Sequence, residues 1–426
     1  MDKKTLFGYK SNDCGRLFLL CWIAYFATYI CRLNFSAVMP EFSANGVFSQ
    51  DKIASVSSAF FICYGIGQVV SGNLGDKISP KTMIFCGLGI SGICNILIFF
   101  FHKIYAVLLI LWAINGAVQS MVWTPILRTA GDYFDSRDRD KFGIDIATTV
   151  PLGTLASYAV SLLTMLFAPW EYVFLVCGSV VVIFAAIWFF GTKRLFVRLR
   201  KNEVSEDESQ PKTERMKMKP LLKLVCVSFV IVMFIPIAIQ GTLKDSVTQW
   251  IPTYLNNQYN TGSSVSLALT MILPIINVTG AWFSKAVNKK LKNELSTSAV
   301  FFGIAALFLV VLMIFGTKNI VISLICMAGV TNCMFAINVM TITMVPLKFS
   351  KYGRTSTVGG IVNSVAYIGC GLLNMGAGTL LEKTGSEWRT LFLMWLSLAV
   401  AAVVFSVICA ARWQKCVKKG GVLAEE

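Results

Sequence analysis

Twelve long apolar stretches follow one another along this chain of 426 residues, and they constrain its fold more than any other feature. A membrane-spanning α-helix needs about 20 mainly apolar residues, and each stretch reaches that length. None shows the alternating pattern, roughly ten residues long, of a transmembrane β-strand. The sequence therefore predicts an all-α polytopic membrane protein with twelve transmembrane helices. The stretches are 17–39, 53–73, 82–101, 104–127, 143–167, 171–191, 220–242 with an extension to about 254, 262–284, 294–315, 319–346, 355–381 and 388–412.

The basic residues lie where a membrane protein carries them. The formal net charge is +16, although only 14% of the residues are charged and 56% are hydrophobic. Lys and Arg gather in alternate gaps between the apolar stretches, beginning with the N-terminal segment, and such gaps face the cytoplasm. We expect both termini to be cytoplasmic, in the plasma (inner) membrane, with membrane lipid as a partner. We expect a monomer that binds no nucleic acid.

The chain has a single long polar segment, "TKRLFVRLRKNEVSEDESQPKTERMKMK" at 192–219. It contains basic, acidic and again basic residues without an apolar period. We interpret it as a cytoplasmic linker, although its first part also fits a basic helix on the membrane surface. The predicted units are thus a six-helix half at 1–191, the linker at 192–219 and a second six-helix half at 220–426.

An internal repeat relates the two predicted halves. In "YICRLNFSAVMPEF", Arg32 precedes Pro40 by eight residues, and in "KDSVTQWIPTYL", Lys244 precedes Pro252 by the same spacing. Eight helical residues rise about 12 Å, which puts both cations near the middle of a hydrocarbon core about 30 Å thick. Equivalent helices of two halves related by a two-fold axis face each other across a central cavity, so the repeat predicts that the two cations converge on one site.

A loop motif indicates a family. "GNLGDKISPK" resembles the Gly-x-Leu-x-Asp-x-x-Gly-x-Arg/Lys loop of the major facilitator superfamily at Gly72, Leu74, Asp76 and Lys81, with Ser79 in place of the second glycine. The resemblance implies the major facilitator fold. It also implies that Asp76 and Lys81 serve gating and not substrate binding.

Three longer stretches resemble the organophosphate:inorganic phosphate antiporter family, which includes the glycerol-3-phosphate and hexose-6-phosphate transporters. They are "YICRLNFSAVMPEF", "VQSMVWTPILRTAGDYFDSRDRDKFG" and "KDSVTQWIPTYL". The second contains the pattern Gln-x-x-x-Trp-x-Pro-x-x-Arg, from Gln119 to Arg128. In that family, basic residues of the first and seventh spans grip the phosphate, and they match Arg32 and Lys244.

The chain departs from this family where accessory cations would stand. Leu33 follows the first-span arginine, Gln68 takes the place of a second-span lysine, and the fifth-span histidine position falls on or near Val150. The single histidine, His102, lies at an outer loop. Two central cations are thus retained, and the accessory ones are absent.

Helical spacing extends the candidate site beyond the two cations. Tyr25 and Tyr29 share a helical stripe with Arg32, and an arginine offers a planar fork for phosphate or carboxylate. We expect Lys244 not to pair with Asp245, because adjacent helix positions point about 100° apart. The polar stripe of the eleventh span continues to Asn374, and Trp123 fits packing or cavity wall equally well. The predicted substrate-binding residues are Arg32, Lys244, Tyr29, Tyr25, Tyr64, Gln68, Gln240, Thr248, Asn363 and Tyr367.

Five further residues are candidates for gating or coupling. Asp76, Lys81 and Arg128 lie at predicted cytoplasmic ends of spans. Asp145 fits either a latch to a nearby Lys or Arg or a proton carrier, and the latch is favoured. Asp245 fits a proton-coupling acid, a tuning charge or a partner for another helix.

The sequence favours a secondary transporter of organic phosphate anions that works in exchange for inorganic phosphate, by rocker-switch alternating access. The alternative is a proton-coupled symporter of a carboxylate such as a sugar acid, and a further one is a membrane sensor that binds sugar phosphate without moving it. No nucleotide-binding motif or catalytic triad pattern occurs in the sequence, so we expect neither an ATP-driven pump nor an enzyme. We expect no cofactor and no metal site.

Overall fold

The computed structural model describes residues 6–74, 78–206, 220, 224, 230–349, 352, 355–385 and 387–418, and the long elements among them are all helical. Twelve segments of these residues are long and apolar enough to cross a membrane, which confirms the predicted fold class. Large apolar side chains such as Phe167 and Leu307 lie exposed on the outside of the bundle, as lipid contact requires.

Three spans are built from more than one helix. The fifth breaks at Thr148, the eighth consists of three short helices, and the tenth continues through a π-helical turn, Val339–Met344. The helices are α1 (Asn12–Ala44), α2 (Gln50–Leu74), α3 (Pro80–Phe101), α4 (Tyr105–Tyr133), α5 (Ser136–Ala147), α6 (Thr149–Phe167), α7 (Tyr172–Glu206), α8 (Val230–Tyr259), α9 (Ser263–Thr270), α10 (Ile272–Asn277), α11 (Gly280–Leu291), α12 (Glu294–Phe315), α13 (Ile320–Asn338), α14 (Val345–Leu347), α15 (Thr355–Lys383) and α16 (Trp388–Val417).

Local sequence explains where several helices begin. The Ser11 side chain caps α1 by accepting from the Cys14 amide, and Asn293 caps α12 in the same way. Ser79, which departs from the family loop motif, caps α3 by accepting from the Thr82 amide, and Pro80 is the first residue of that helix. The serine therefore gives the third span a defined start.

The predicted linker begins as helix. α7 continues past the apolar stretch as far as Glu206, so the first part of 192–219 extends the sixth span. The position of this helical part, in solvent or on the membrane surface, stays a prediction. Residues 207–219 lie outside the described chain.

The two predicted halves meet along α2 and α15, which pack antiparallel. Gly65 of α2 and Gly371 and Gly378 of α15 approach the opposite helix closely: an added Cβ would lie 2.7, 2.5 and 2.1 Å from the nearest side-chain atom. Small residues allow membrane helices to pack this tightly. The halves also meet where α1 contacts α8 and where α6 contacts α9 and α10.

We predict that Gly378→Val destabilises the protein, because the new side chain would collide with Ala54 of α2. Overpacking of this kind typically costs about 1–3 kcal/mol. Gly376→Val is the matched control, since it lies on the same helix and meets nothing within 4 Å. Thermal unfolding in detergent should show a lower midpoint for Gly378→Val alone. Equal midpoints for the two variants would contradict the close packing.

Candidate functional site

Arg32 lies deep inside α1 and is 4% exposed. The preceding residue, Cys31, departs from helical geometry with φ −91° and ψ 16°, so α1 is distorted directly beside the arginine. That part of backbone space is sparsely populated, and residues held there are often functional. The distortion frees the Cys31 carbonyl, which accepts hydrogen bonds from Asn115 at 2.8 Å and Gln119 at 3.1 Å.

The guanidinium of Arg32 bridges the two predicted halves. Its Nε donates to Gln119 Oε1 at 3.1 Å, and its Nη1 donates across the interface to the Tyr367 hydroxyl, also at 3.1 Å. Nη2 has no hydrogen-bond partner among the residues that the structure describes. The rings of Tyr29 and Tyr64 lie 4.7 and 4.5 Å from Cζ, within the range of cation–π attraction. Tyr29, Tyr64 and Tyr367 thus form an aromatic cage around the guanidinium. The cage holds the arginine and leaves Nη2 without a hydrogen bond to a described residue.

Gln119 organises this arrangement, although it was not among the predicted substrate-binding residues. Its Oε1 accepts from Arg32, while its Nε2 lies 3.1 Å from the Cys31 carbonyl and 3.1 Å from Ser91 Oγ. Ser91 in turn donates to Asn115 at 2.6 Å. The signal was the Gln-x-x-x-Trp-x-Pro-x-x-Arg pattern itself, in which this glutamine is the first residue.

Lys244 lies on α8 and pairs with its neighbour. Its Nζ is 3.4 Å from Asp245 Oδ2, and the two side chains are only 11% and 22% exposed. Our expectation that adjacent positions would keep these groups apart was wrong. Cβ directions do diverge by about 100°, but the long lysine stem can fold back toward the carboxylate. The ammonium also lies 5.4 Å from the Tyr367 ring.

Arg32 and Lys244 line one cavity, as the repeat predicted. Its volume is ≈ 30 Å³, which is room for at least one water molecule. Its floor and walls come from both predicted halves. They are Tyr29, Arg32, Leu33, Phe61, Val150, Pro151 and Thr154 on one side and Lys244, Asp245, Thr248, Leu273, Pro274, Asn277 and Phe335 on the other.

The remaining candidates of the first half lie around the cage. Tyr25 packs against Tyr29 with ring centroids 5.6 Å apart and against Trp123 with ring centroids 4.6 Å apart. Trp123 therefore contacts the cage indirectly, through Tyr25. Gln68 is fully buried, and within the described part of the chain neither polar atom of its amide has a hydrogen-bond partner. It lies one helical turn beyond Tyr64 on α2.

The candidates of the second half divide between the site and the helix scaffold. Tyr367 forms part of the cage, with its ring centroid 4.4 Å from that of Tyr64. Gln240 instead donates to the Met334 carbonyl of α13 at 3.1 Å, and its Oε1 is left without a partner. Thr248 lines the cavity, but its hydroxyl donates to the Lys244 carbonyl at 2.7 Å. Asn363 is half-buried one turn before Tyr367.

A second polar cluster joins the halves beyond the cage, toward the predicted outer side. Ser36 donates to the Gln249 carbonyl at 2.8 Å, and Ser57 donates to the side-chain oxygen of Gln249 at 2.5 Å. Asn374 donates to Ser57 at 2.9 Å and accepts from Trp250 at 2.7 Å. Asn374, which we placed on the cavity stripe, therefore belongs to this interface.

Asp145 binds the N-terminal segment. Its Oδ2 accepts a hydrogen bond from the Tyr9 hydroxyl at 3.1 Å, and its predicted latch to a nearby lysine or arginine stays a prediction. Burial, and then the charge of Asp145, raise the pKa of Tyr9, so the phenol remains a donor at neutral pH. Lys141 donates to the Phe7 carbonyl and lies 4.8 Å from the Tyr9 ring. The contacts fasten residues 6–11 to α5.

Arg128 and Lys81 lie at the same end of the bundle as Asp145. Arg128 Nε pairs with Asp132 at 3.2 Å, one turn along α4. Lys81 Nζ lies 4.4 Å from the Phe189 ring. Asp76 lies outside the described residues, so its predicted latch stays a prediction.

Twelve membrane-spanning segments, with Arg32 buried between the two predicted halves, define a polytopic membrane protein. The family profile described as the Major Facilitator Superfamily matches residues 21–373, and the chain belongs to that family. It is therefore a transporter-family protein and not an enzyme.

Several characterised proteins are similar to this chain. The glycerol-3-phosphate transporter of Bacillus subtilis (strain 168) is 22% identical over 411 residues, which cover 92% of this chain and 90% of the relative. The membrane sensor protein UhpC of Escherichia coli (strain K12) is 35% identical over 103 residues, 24% of this chain and 23% of the sensor. A probable hexose phosphate transport protein of Chlamydia trachomatis serovar D is 30% identical over 124 residues, 29% and 27% of the two chains. The chain thus matches only about a quarter of the length of the latter two.

We predict that Gln119→Leu destabilises the protein, because it leaves Arg32 Nε without its hydrogen-bond partner in a buried site, while the Cys31 carbonyl keeps Asn115. An orphaned buried polar group costs about 1–3 kcal/mol, and a charged one costs more. Gln258→Leu is the control, since it removes one hydrogen bond of 3.3 Å to the Thr317 carbonyl at the end of α8. Thermal unfolding should show a clearly larger loss for Gln119→Leu. A loss no larger than that of the control would refute the organising role of Gln119.

Proposed function

We propose that this protein carries organic phosphate anions, such as a sugar phosphate or glycerol phosphate, in exchange for inorganic phosphate by rocker-switch alternating access. The observation that carries the proposal is Arg32. It is nearly fully buried between the predicted halves, where Gln119, Tyr367 and the rings of Tyr29 and Tyr64 contact its guanidinium. Its Nη2 has no hydrogen-bond partner among the described residues, and the cavity that it lines also contains Lys244.

The chemistry of the site suits a tetrahedral oxyanion. An arginine presents planar N–H donors that match phosphate oxygens, and a lysine adds a point charge with three donors. The rings of Tyr29 and Tyr64 lie near the same guanidinium, and the Tyr367 hydroxyl accepts a hydrogen bond from it. Tyr64 Oη has no hydrogen-bond partner among the described residues. A phosphate that enters would therefore meet a cation and an unengaged hydroxyl together.

Charge balance explains why exchange follows from this site. Arg32 and Lys244 bring two positive charges, and Asp245 brings one negative charge that pairs with Lys244. An entering anion neutralises the remaining charge of Arg32 and competes with Asp245 for Lys244. Because a buried unpaired charge is unfavourable, each anion that leaves is best replaced by another before the halves close again.

The relatives support the substrate class. Their names refer to glycerol-3-phosphate and hexose phosphate transport, and the first of them aligns over 92% of this chain. We further propose a monomer in the plasma (inner) membrane with both termini cytoplasmic. Asp76, Lys81, Arg128 and Asp145 would then act at the cytoplasmic gate, opposite the Ser57–Gln249–Asn374 cluster.

Counterflow in proteoliposomes tests the proposal. We predict that loading the vesicles with inorganic phosphate accelerates uptake of a labelled sugar phosphate or glycerol phosphate. Arg32→Lys should lower this exchange by about tenfold or more, because it removes the fork and the bond to Gln119 or Tyr367. Arg389→Lys, on the exposed start of α16, is the matched control and should leave exchange intact.

A second candidate function has an observation in its favour. Asp245 lines the cavity, and its carboxylate pairs with Lys244. In a proton-coupled carboxylate symporter, this acid would be the proton carrier. Asp245→Asn distinguishes the two candidate functions. In a phosphate antiporter, exchange should persist in the variant, whereas in a proton-coupled symporter, uptake driven by a pH gradient should vanish. Failure of phosphate to accelerate uptake, together with pH-driven uptake of a sugar acid, would overturn the phosphate exchange. Ligand binding without any transport would instead indicate a sensor.

A further inference from the structure

A second concave site lies between α1 and α7 at the basic end of the bundle, and the proposed transport cycle does not use it. It is a groove of ≈ 620 Å³. Its cations are Arg16 on α1 and Lys193, Arg194 and Arg198 on α7, and its apolar walls include Leu20 and Phe190. Arg16 lies about 24 Å along α1 from Arg32, so the groove is separate from the central cavity.

The groove lies at the boundary of the hydrocarbon core. Arg16 is the last charged residue before the apolar stretch of α1, and Lys193 is the first charged residue after the apolar stretch of α7. Phe190 is 71% exposed on the apolar side of that boundary. An occupant would therefore have its polar part at the level of lipid headgroups and its apolar part at the level of acyl chains.

The cations are available to an external anion. In the described part of the chain, the recorded salt bridges include none to Lys193, Arg194 or Arg198, and all three side chains are exposed. Arg16 lies 3.5 Å from Asp13, but its side chain is 60% exposed, and such surface pairs contribute little. The groove therefore has a surplus of positive charge without an acidic counterpart inside it.

The floor of the groove is formed by close helix packing. Gly191 of α7 faces Leu20 of α1, and an added Cβ there would lie 3.0 Å from Leu20 Cδ2. The glycine brings the two helices together behind the cations. This gives the site a concave shape, in contrast to the isolated basic residues that face water on other loops.

We propose that this groove binds an anionic phospholipid, with the phosphate headgroup on Lys193, Arg194, Arg198 and Arg16 and an acyl chain along Leu20 and Phe190. Basic pockets between transmembrane helices bind such headgroups, and each Lys or Arg near the surface attracts them. The lipid would fasten α1, which contains Arg32, to the last helix of the first predicted half.

The test is lipid retention by the full-length protein, measured by native mass spectrometry after exchange into phosphatidylglycerol or phosphatidylcholine. Wild type should retain phosphatidylglycerol preferentially. The triple variant Lys193→Gln, Arg194→Gln, Arg198→Gln should lose that preference by about five-fold for each cation removed. Lys285→Gln, Lys289→Gln, Lys290→Gln on α11 is the control, because it removes the same charge from exposed positions outside the groove.

Three results would overturn the proposal. They are equal retention of the two lipids by wild type, an equal loss in the α11 control, and displacement of the lipid by free glycerol phosphate at comparable concentration. The last comparison uses Arg32→Gln protein, so that the central site does not contribute. Unfolding midpoints in phosphatidylcholine check that the variants fold, and the single variant Arg194→Gln replaces the triple one if that does not fold.

Discussion

The burial of one guanidinium, that of Arg32, is the constraint on which the rest of the structure depends. A charge near the middle of a membrane protein costs several kcal/mol unless polar groups and water compensate it, at least ~3 kcal/mol by insertion scales. In the first predicted half, this charge receives compensation from the amide of Gln119 and the rings of Tyr29 and Tyr64, beside a distorted turn of α1. Tyr367 completes it from the second. The helices around Arg32 therefore pack so that their side chains contact this cation.

In the function that we propose, the position of Arg32 at the interface gives the charge its role. Since part of its compensation comes from Tyr367 across the interface, separation of the halves would expose the guanidinium to solvent and to anions. The outer cluster around Gln249 and Asn374, with the tight packing of α2 on α15, keeps the halves together on the other side of the site. A bundle that opens and closes around a fixed midplane site is the arrangement that alternating access requires.

The sequence predicted the parts of this arrangement that depend on length and periodicity. The apolar stretches gave the twelve spans, and the repeat of Arg32 and Lys244 before Pro40 and Pro252 predicted that the two cations share a cavity, which the structure shows. The tyrosines at helical spacing from Arg32 were found in the same way. These features follow from the rise and pitch of a helix, which the chain itself encodes.

The sequence could not predict contacts that depend on the direction of individual side chains. Arg32 and Gln119 are 87 positions apart, and their hydrogen bond arises only from the packing of α1 on α4. The distortion at Cys31 has no proline or glycine within its turn to indicate it. Lys244 folds back to Asp245 because its stem is flexible, and Asp145 meets Tyr9 because residues 6–11 return to α5.

Ligand-induced stabilisation of the purified protein tests most directly whether Arg32 is an anion-binding residue. A phosphate ester at about 100 times its Kd should stabilise the wild type by about 2.7 kcal/mol, seen as a higher unfolding midpoint. Arg32→Gln protein, shown to be folded by its own cooperative transition, should gain no stabilisation from the same ester or from inorganic phosphate. Equal stabilisation of the variant and the wild type would contradict the account.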